Sequence, residues 1–298
     1  MVFAAPVFAG KLAIVIDDFG YRPHNENQVL AMPAAISVAV LPNAPHAREM
    51  ATKAHNTGHE VLIHLPMAPI SKQPLEKDTL RPDMSSDEIE RIIRNAVDNV
   101  PYAVGLNNHM GSAMTSNLFG MQKVMQALAR YDLYFLDSMT IGNSQAMRAA
   151  TGTGVKVIKR KVFLDDTQNE ADIRRQFNRA VELARRNGSA IAIGHPHPST
   201  VRVLQQMLPT LPPDITLVRP GSLLNEPKIE TSTPNPAQPI VSSPRNLFRG
   251  VRSCKPKQPL EPVYASRFFS VIGDSISNSI LVQYIQQQWK GWDVGKKA

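Results

Sequence analysis

The sequence predicts an α/β fold and, within that class, a parallel (β/α) barrel over residues 11–226. Eight short apolar runs alternate with helical stretches over roughly 210 residues. The runs are apolar without a break, the pattern of strands buried on both faces of a parallel sheet. Several of them stop on polar or charged residues, and the carboxyl ends of barrel strands are where loops assemble active sites. An open doubly wound sheet would gather such residues at one switch point, whereas here they follow many strands, which favours the barrel.

The first run, residues 11–16, ends on the adjacent carboxylates Asp17 and Asp18. Tyr21-Arg22-Pro23-His24-Asn25 reads as a loop before a short helix near 26–31, and residues 36–41 form the second strand. Pro42-Asn43-Ala44-Pro45 breaks it; a helix over 46–56 follows, stopped by Gly58. The third strand, 60–64, delivers His64 to the level of the Asp pair. Residues 65–82 are a Pro-rich connector too long for a tight turn, of the length that builds walls or lids. Ser85 then opens a helix with Glu88 three residues on, the capping-box spacing, and Ile89, Ile92, Ile93, Ala96 and Val97 form its buried stripe. Strand four, 102–106, exits through Asn107-Asn108-His109-Met110-Gly111-Ser112. The alternation continues with helices near 117–130, 144–151, 170–187 and 200–208, and strands at 133–136, 155–158, 190–193 and 215–218.

Composition narrows the function classes. A net charge of +8 suggests a polyanionic partner, but residues 229–298 hold nine Lys/Arg against four Asp/Glu, leaving about +3 for the rest. No zinc-finger spacing, basic recognition helix or Arg/aromatic ladder is present, so nucleic acid is not the expected partner. The single Cys254 excludes an intrachain disulfide framework. No run has the length of a transmembrane segment. Residues 1–10 are small and apolar and resemble the end of a secretory signal peptide lacking its basic start, the alternative being a frayed N-terminal extension. The expected location is periplasmic or secreted. Residues 227–298, rich in Pro, Ser, Thr and Asn, read as a flexible C-terminal tail with one amphipathic helix within 268–292.

A hydrolytic metal site needs about three protein ligands, an open position for water and a nearby base. Asp17, Asp18, His64, His109, His195 and His197 all stand at predicted strand exits and are the candidates. His46, His55 and His59 read as solvated surface histidines, and His24 as exposed in a loop.

Five motifs carry a family resemblance: Ile16-Asp17-Asp18-Phe19-Gly20, His64-Leu65-Pro66-Met67-Ala68-Pro69, Gly105 to Ser112, Phe135-Leu136-Asp137-Ser138, and Gly194-His195-Pro196-His197-Pro198. Together they resemble the divergent polysaccharide deacetylases, metal-dependent carbohydrate esterases on a distorted (β/α) barrel of about seven or eight parallel strands. The resemblance implies Asp17 as general base, Asp18 and His64 as ligands of zinc or another divalent metal, and His195 as general acid, with His197 in reserve. The family's usual second-motif partner four residues after His64 is absent, since Ala68 stands there; His109 is assigned as the third ligand instead. Asn107, Asn108 and Ser112 either orient sugar hydroxyls or cap the following helix, and Asp137 either orients a site His or ends its strand. The implied activity is removal of N-acetyl groups from an envelope polysaccharide. The alternatives are a non-catalytic glycan-binding or scaffold protein on the same fold, and a two-carboxylate glycosidase, which the His-rich rim disfavours.

Overall fold

The structure is a computed structural model that describes residues 9–225. The signal-peptide reading of the first residues and the tail reading of 227–298 fall outside the described residues, except that Gly10 already opens the first strand. In chain order the elements are β1 (Gly10–Phe19), α1 (Pro23–Leu30), β2 (Ser37–Val40), α2 (Ala47–Asn56), β3 (Val61–Met67), α3 (Ser86–Asn99), β4 (Ala103–Met110), α4 (Ser112–Ser116), α5 (Leu118–Leu128), β5 (Tyr134–Asp137), α6 (Ala146–Ala149), β6 (Val157–Lys159), β7 (Val162–Phe163), α7 (Glu170–Asn187), β8 (Ser189–Gly194), α8 (Pro198–Met207) and β9 (Ile215–Val218).

All strand pairs are parallel, in the order β6-β5-β4-β3-β2-β1-β8-β7, with β9 against β1. Only Arg160 and Lys161 separate β6 from β7. One extended segment therefore pairs with β5 by its first half and with β8 by its second, bringing the two ends of the sheet together as a distorted (β/α) barrel. On the other side of β8, β1 is shared: Gly10 to Ala13 pair with β9, and Val15 to Phe19 with β2.

Strand alternation sorts the core into two layers. Ala13 and Val15 of β1, Leu62 of β3, Tyr134 and Leu136 of β5 and Ile191 and Ile193 of β8 pack together inside the barrel, joined by Leu223 from the short turn Pro220–Leu223. The opposite faces, with Ile14 and Ile16, Ile63, Leu106 and Phe135, pack against the helices. Gly105 keeps the inner layer possible, because a Cβ there would stand 2.7 Å from the Tyr134 ring. The helices start as their caps dictate. The Ser85 side chain accepts the Glu88 N–H, and the Asn169 side chain accepts from Ala171 and Asp172, bonds of a kind worth about 1 kcal/mol each.

Three strands run further than the apolar pattern predicts, β1 continuing through both aspartates to Phe19. β3 continues from His64 to Met67 and β4 from Leu106 to Met110, so the polar residues of both exits are still in register, His64 beside Asn107 and Pro66 beside His109. Inward-facing polar residues at a barrel mouth keep the ladder while ending the apolar run. His59 is also a correction: it is buried, not solvated, with Nδ1 2.8 Å from the Ile36 carbonyl oxygen and Nε2 3.2 Å from that of Leu30. His46 and His55 are exposed, as expected, His55 being stacked on Tyr102.

Candidate active site

The site is built on β1. Ala13, Val15 and Asp17 alternate inward, so Asp17 enters the barrel mouth with 2% of its surface exposed. Alternation alone would turn Asp18 the other way. It does not, because Asp18 has φ 59° and the β1–β2 register shifts between Ile16 and Phe19. A non-glycine residue in the left-handed region is uncommon, and the turn here brings both carboxylates to one cavity. The same device recurs at neighbouring exits, at Met110 (φ 53°) just after His109 and at Met139 (φ 50°) just after Ser138.

Asp18 Oδ1 lies 3.3 Å from His64 Nε2 and 3.1 Å from His109 Nδ1, and those two nitrogens are 3.0 Å apart. Asp18 Oδ1 is nevertheless buried without a hydrogen bond of acceptable geometry. Three donor atoms bound tetrahedrally at 2.0–2.2 Å from a zinc ion would be roughly 3.3–3.6 Å apart. Separations of 3.0–3.3 Å, with the oxygen among the three donors left orphaned, fit a divalent cation. Asp18, His64 and His109 thus form a group able to hold a metal ion, the ligand set the sequence suggests.

Asn107 fixes the chemistry behind that group. Its amide nitrogen donates to Asp17 Oδ1 at 2.8 Å, so its oxygen must be the atom facing His64 Nδ1 at 2.8 Å. An amide oxygen only accepts, so His64 carries its proton on Nδ1 and presents the Nε2 lone pair to the centre. One buried side chain therefore orients both the suggested base and a suggested ligand; it neither touches solvent nor caps a helix.

Charges follow the geometry. Burial raises the Asp17 pKa, and nearby His64 and His195 only partly offset it. Burial also opposes ionisation of Asp18, but the close approach and charge of the His109 and His64 rings hold its carboxyl far below the usual range. For His64 the balance reverses: burial would lower its pKa, yet Asp17 and Asp18 raise it.

A second group flanks the first. Asp165 accepts from the His195 backbone N–H at 2.7 Å and the Thr200 hydroxyl at 2.7 Å, and its Oδ1 lies 3.0 Å from His195 Nδ1. Burial works against the His195 charge, but the Asp165 bond and the charges of Asp165, Asp18 and Asp17 prevail and raise its pKa to about 9. His195 Nε2 points to the first group, 3.9 Å from Asp18 Oδ2. His197 stacks obliquely on His195, its Nδ1 3.3 Å from an Arg22 nitrogen, and burial lowers its pKa.

Three candidates have other work. Asn108 is buried, its nitrogen donating to the Met110 carbonyl at 2.6 Å and its oxygen accepting the Ser138 N–H at 2.9 Å. Ser112 does not cap α4, whose N-cap is Gly111; its hydroxyl accepts the Ile70 N–H at 2.8 Å and pins the connector. Asp137 accepts the Met139 N–H at 2.9 Å and closes its own strand; the carboxylate that holds a site histidine is Asp165. Asp165, Arg160 and Glu76 were missed from sequence. Arg160 donates to the carbonyls of Ser138 and Met139 and lies over the Phe163 ring, in the electrostatic reach of Asp17.

Fold and site together define a distorted (β/α) barrel whose mouth holds an Asp/His/His group able to take a divalent metal ion. Residues 14–224 match the family described as divergent polysaccharide deacetylase, and the chain belongs to that family. It is 79% identical over 292 residues to the uncharacterized protein YibQ of Escherichia coli (strain K12), covering 98% of this chain and 91% of that one. It is 44% identical over 253 residues to an uncharacterized protein of Haemophilus influenzae, covering 85% and 87%. Among solved structures, the uncharacterized protein ATU2773 from Agrobacterium tumefaciens C58 superposes with a TM-score of 0.68 at 19% identity, over 74% of this chain and 91% of that one, a likeness of fold.

Proposed function

We propose that the protein is a metal-dependent hydrolase that removes N-acetyl groups from an envelope polysaccharide. The observation that carries this reading is the convergence of His64 and His109 on one orphaned oxygen of Asp18, between the buried Asp17 and the carboxylate-held His195. Zinc suits a set of two imidazoles and one carboxylate with room for a further ligand. When bound, such an ion supplies charge that polarises an acetamide carbonyl and makes water a better nucleophile.

The chain's own residues supply the proton transfers. Asp17, held through Oδ1 by Asn107, presents Oδ2, 3.6 Å from His64 Nε2, to take the proton of the attacking water. His195, kept protonated by Asp165, gives a proton to the leaving amine through Nε2. Asn107 holds His64 and Asp17 in one fixed relation, so base and ligand cannot drift apart. The small apolar segment at residues 1–10 supports a periplasmic or secreted setting, where an N-acetylated polysaccharide is the available partner.

The test pairs metal analysis of purified protein with acetate release from chitin oligomers and from peptidoglycan. Stoichiometric metal with acetate release supports the enzyme. Stoichiometric metal without release from any N-acetylated glycan would support a glycan-binding protein instead.

A further inference from the structure

His109 meets the metal-binding group through Nδ1, which leaves Nε2 on the outer edge of its ring. Ligation through Nδ1 dictates the tautomer: the proton must reside on Nε2, and a partly buried N–H needs an acceptor. Facing Nε2 at 3.5 Å is Glu76 Oε1. Glu76 belongs to none of the motif segments; it comes from the Pro-rich connector between β3 and α3.

That connector is tied down on both sides of Glu76. Leu80 returns to pair with the end of β3, with bonds from Ala68 N–H to the Leu80 oxygen (2.8 Å) and from Leu80 N–H to the Pro66 oxygen (2.9 Å). Ser112 holds Ile70, and the Asn43 side chain donates to the Lys77 carbonyl at 2.9 Å. Pro66, Met67, Pro74, Leu75, Thr79 and Met110 line a small, mostly apolar cleft beside Glu76 and His109, with the Glu76 side chain still partly exposed. His109 is its ion-pair partner among the described residues.

We infer that Glu76 is a positioning residue for the metal group: it accepts from the Nε2–H of His109, fixes that ring with Nδ1 inward, and couples cation binding to the seating of the connector. The inference rests on the metal-centre reading above. The arrangement also makes Ala68 intelligible. With the second imidazole drawn from β4 instead of from the residue four after His64, the outer edge of its ring faces the connector, which provides the acceptor there.

The experiment measures Zn2+ affinity by competition with a chromophoric chelator for the full-length wild type, Glu76→Gln and Glu76→Ala, with the Co2+ absorption spectrum of each. Outer partners of ligating histidines typically contribute 10–100-fold in metal affinity. Glu76→Ala should bind Zn2+ about 10–100-fold more weakly, with an altered Co2+ spectrum. Glu76→Gln, which keeps an oxygen acceptor without the charge, should fall between. In the wild type and not in Glu76→Ala, Zn2+ should also slow proteolytic cutting within residues 70–79. Unfolding temperatures of the metal-free variants should match the wild type, since Glu76 is on a surface loop; a variant that unfolds early is replaced in the comparison by Glu76→Gln alone. Equal Zn2+ affinity and identical Co2+ spectra in all three proteins overturn the role of Glu76 while leaving the metal centre standing. Failure of the wild type itself to bind either ion overturns both.

Discussion

The barrel mouth holds two groups of the same composition, one aspartate and two histidines, and they are built for different work. In Asp18/His64/His109 the ring nitrogens converge on a carboxylate oxygen that has no hydrogen bond. In Asp165/His195/His197 the carboxylate accepts from a backbone N–H, a hydroxyl and a ring nitrogen, and His197 Nδ1 faces Arg22. A carboxylate with three hydrogen bonds already made gains less from a cation than an orphaned oxygen between two imidazoles would. Counting satisfied lone pairs, more than counting ligand-type residues, is what assigns the metal to the first group and proton transfer to the second in the proposed function.

The largest effect that would sharpen this contrast comes from the residue between the groups. Asp17→Asn should abolish acetate release, by at least about 10³-fold, and leave the metal bound, because the amide keeps the shape but cannot accept a proton. Simultaneous loss of metal would mean that the Asp pair chelates jointly. Next, His195→Gln should slow turnover by about 10²–10⁴-fold, the usual contribution of a general acid, with metal content unchanged.

A smaller effect tests the Asp165 contact itself. In the metal-free protein the His195 pKa is raised to about 9, above its ordinary 6.5. The stability this adds is fully present below about pH 6.5 and is lost as pH rises through about 9. Asp165→Asn removes the main opposition to burial, so a histidine NMR titration should find this pKa moved down, and the alkaline loss of stability should disappear. An unmoved titration would break the pairing. Smallest is Thr200→Val, which strips one hydrogen bond from a fully buried side chain; it should cost about 1–3 kcal/mol in chemical denaturation and leave the metal in place.

Much of this was legible in the chain. The apolar runs ending on Asp17, His64, Asn107 and His195 locate β1, β3, β4 and β8, because strands buried on both faces have little freedom of composition. What the pattern could not yield is the turn at Asp18: alternation separates adjacent residues, and only a left-handed φ reunites them. Asp165 escaped for a different reason. It follows a strand of two residues, too short for any periodicity, although Phe163-Leu164-Asp165-Asp166 repeats in miniature the apolar-then-Asp-Asp signal of β1. Asn107 was visible as a strand-exit residue, but its bridging depends on the His64–Asn107 register, a long-range fact absent from local sequence. Glu76 sits in a Pro-rich connector where no spacing rule points inward.

The central claim is that only one of the two groups holds metal. The direct measurement is zinc stoichiometry of Asp18→Asn and Asp165→Asn, equilibrated side by side at one free Zn2+ concentration that saturates the wild type. The account predicts an Asp18→Asn protein nearly free of zinc and an Asp165→Asn protein carrying one ion per chain. Equal loss in both, or loss confined to Asp165→Asn, would contradict it.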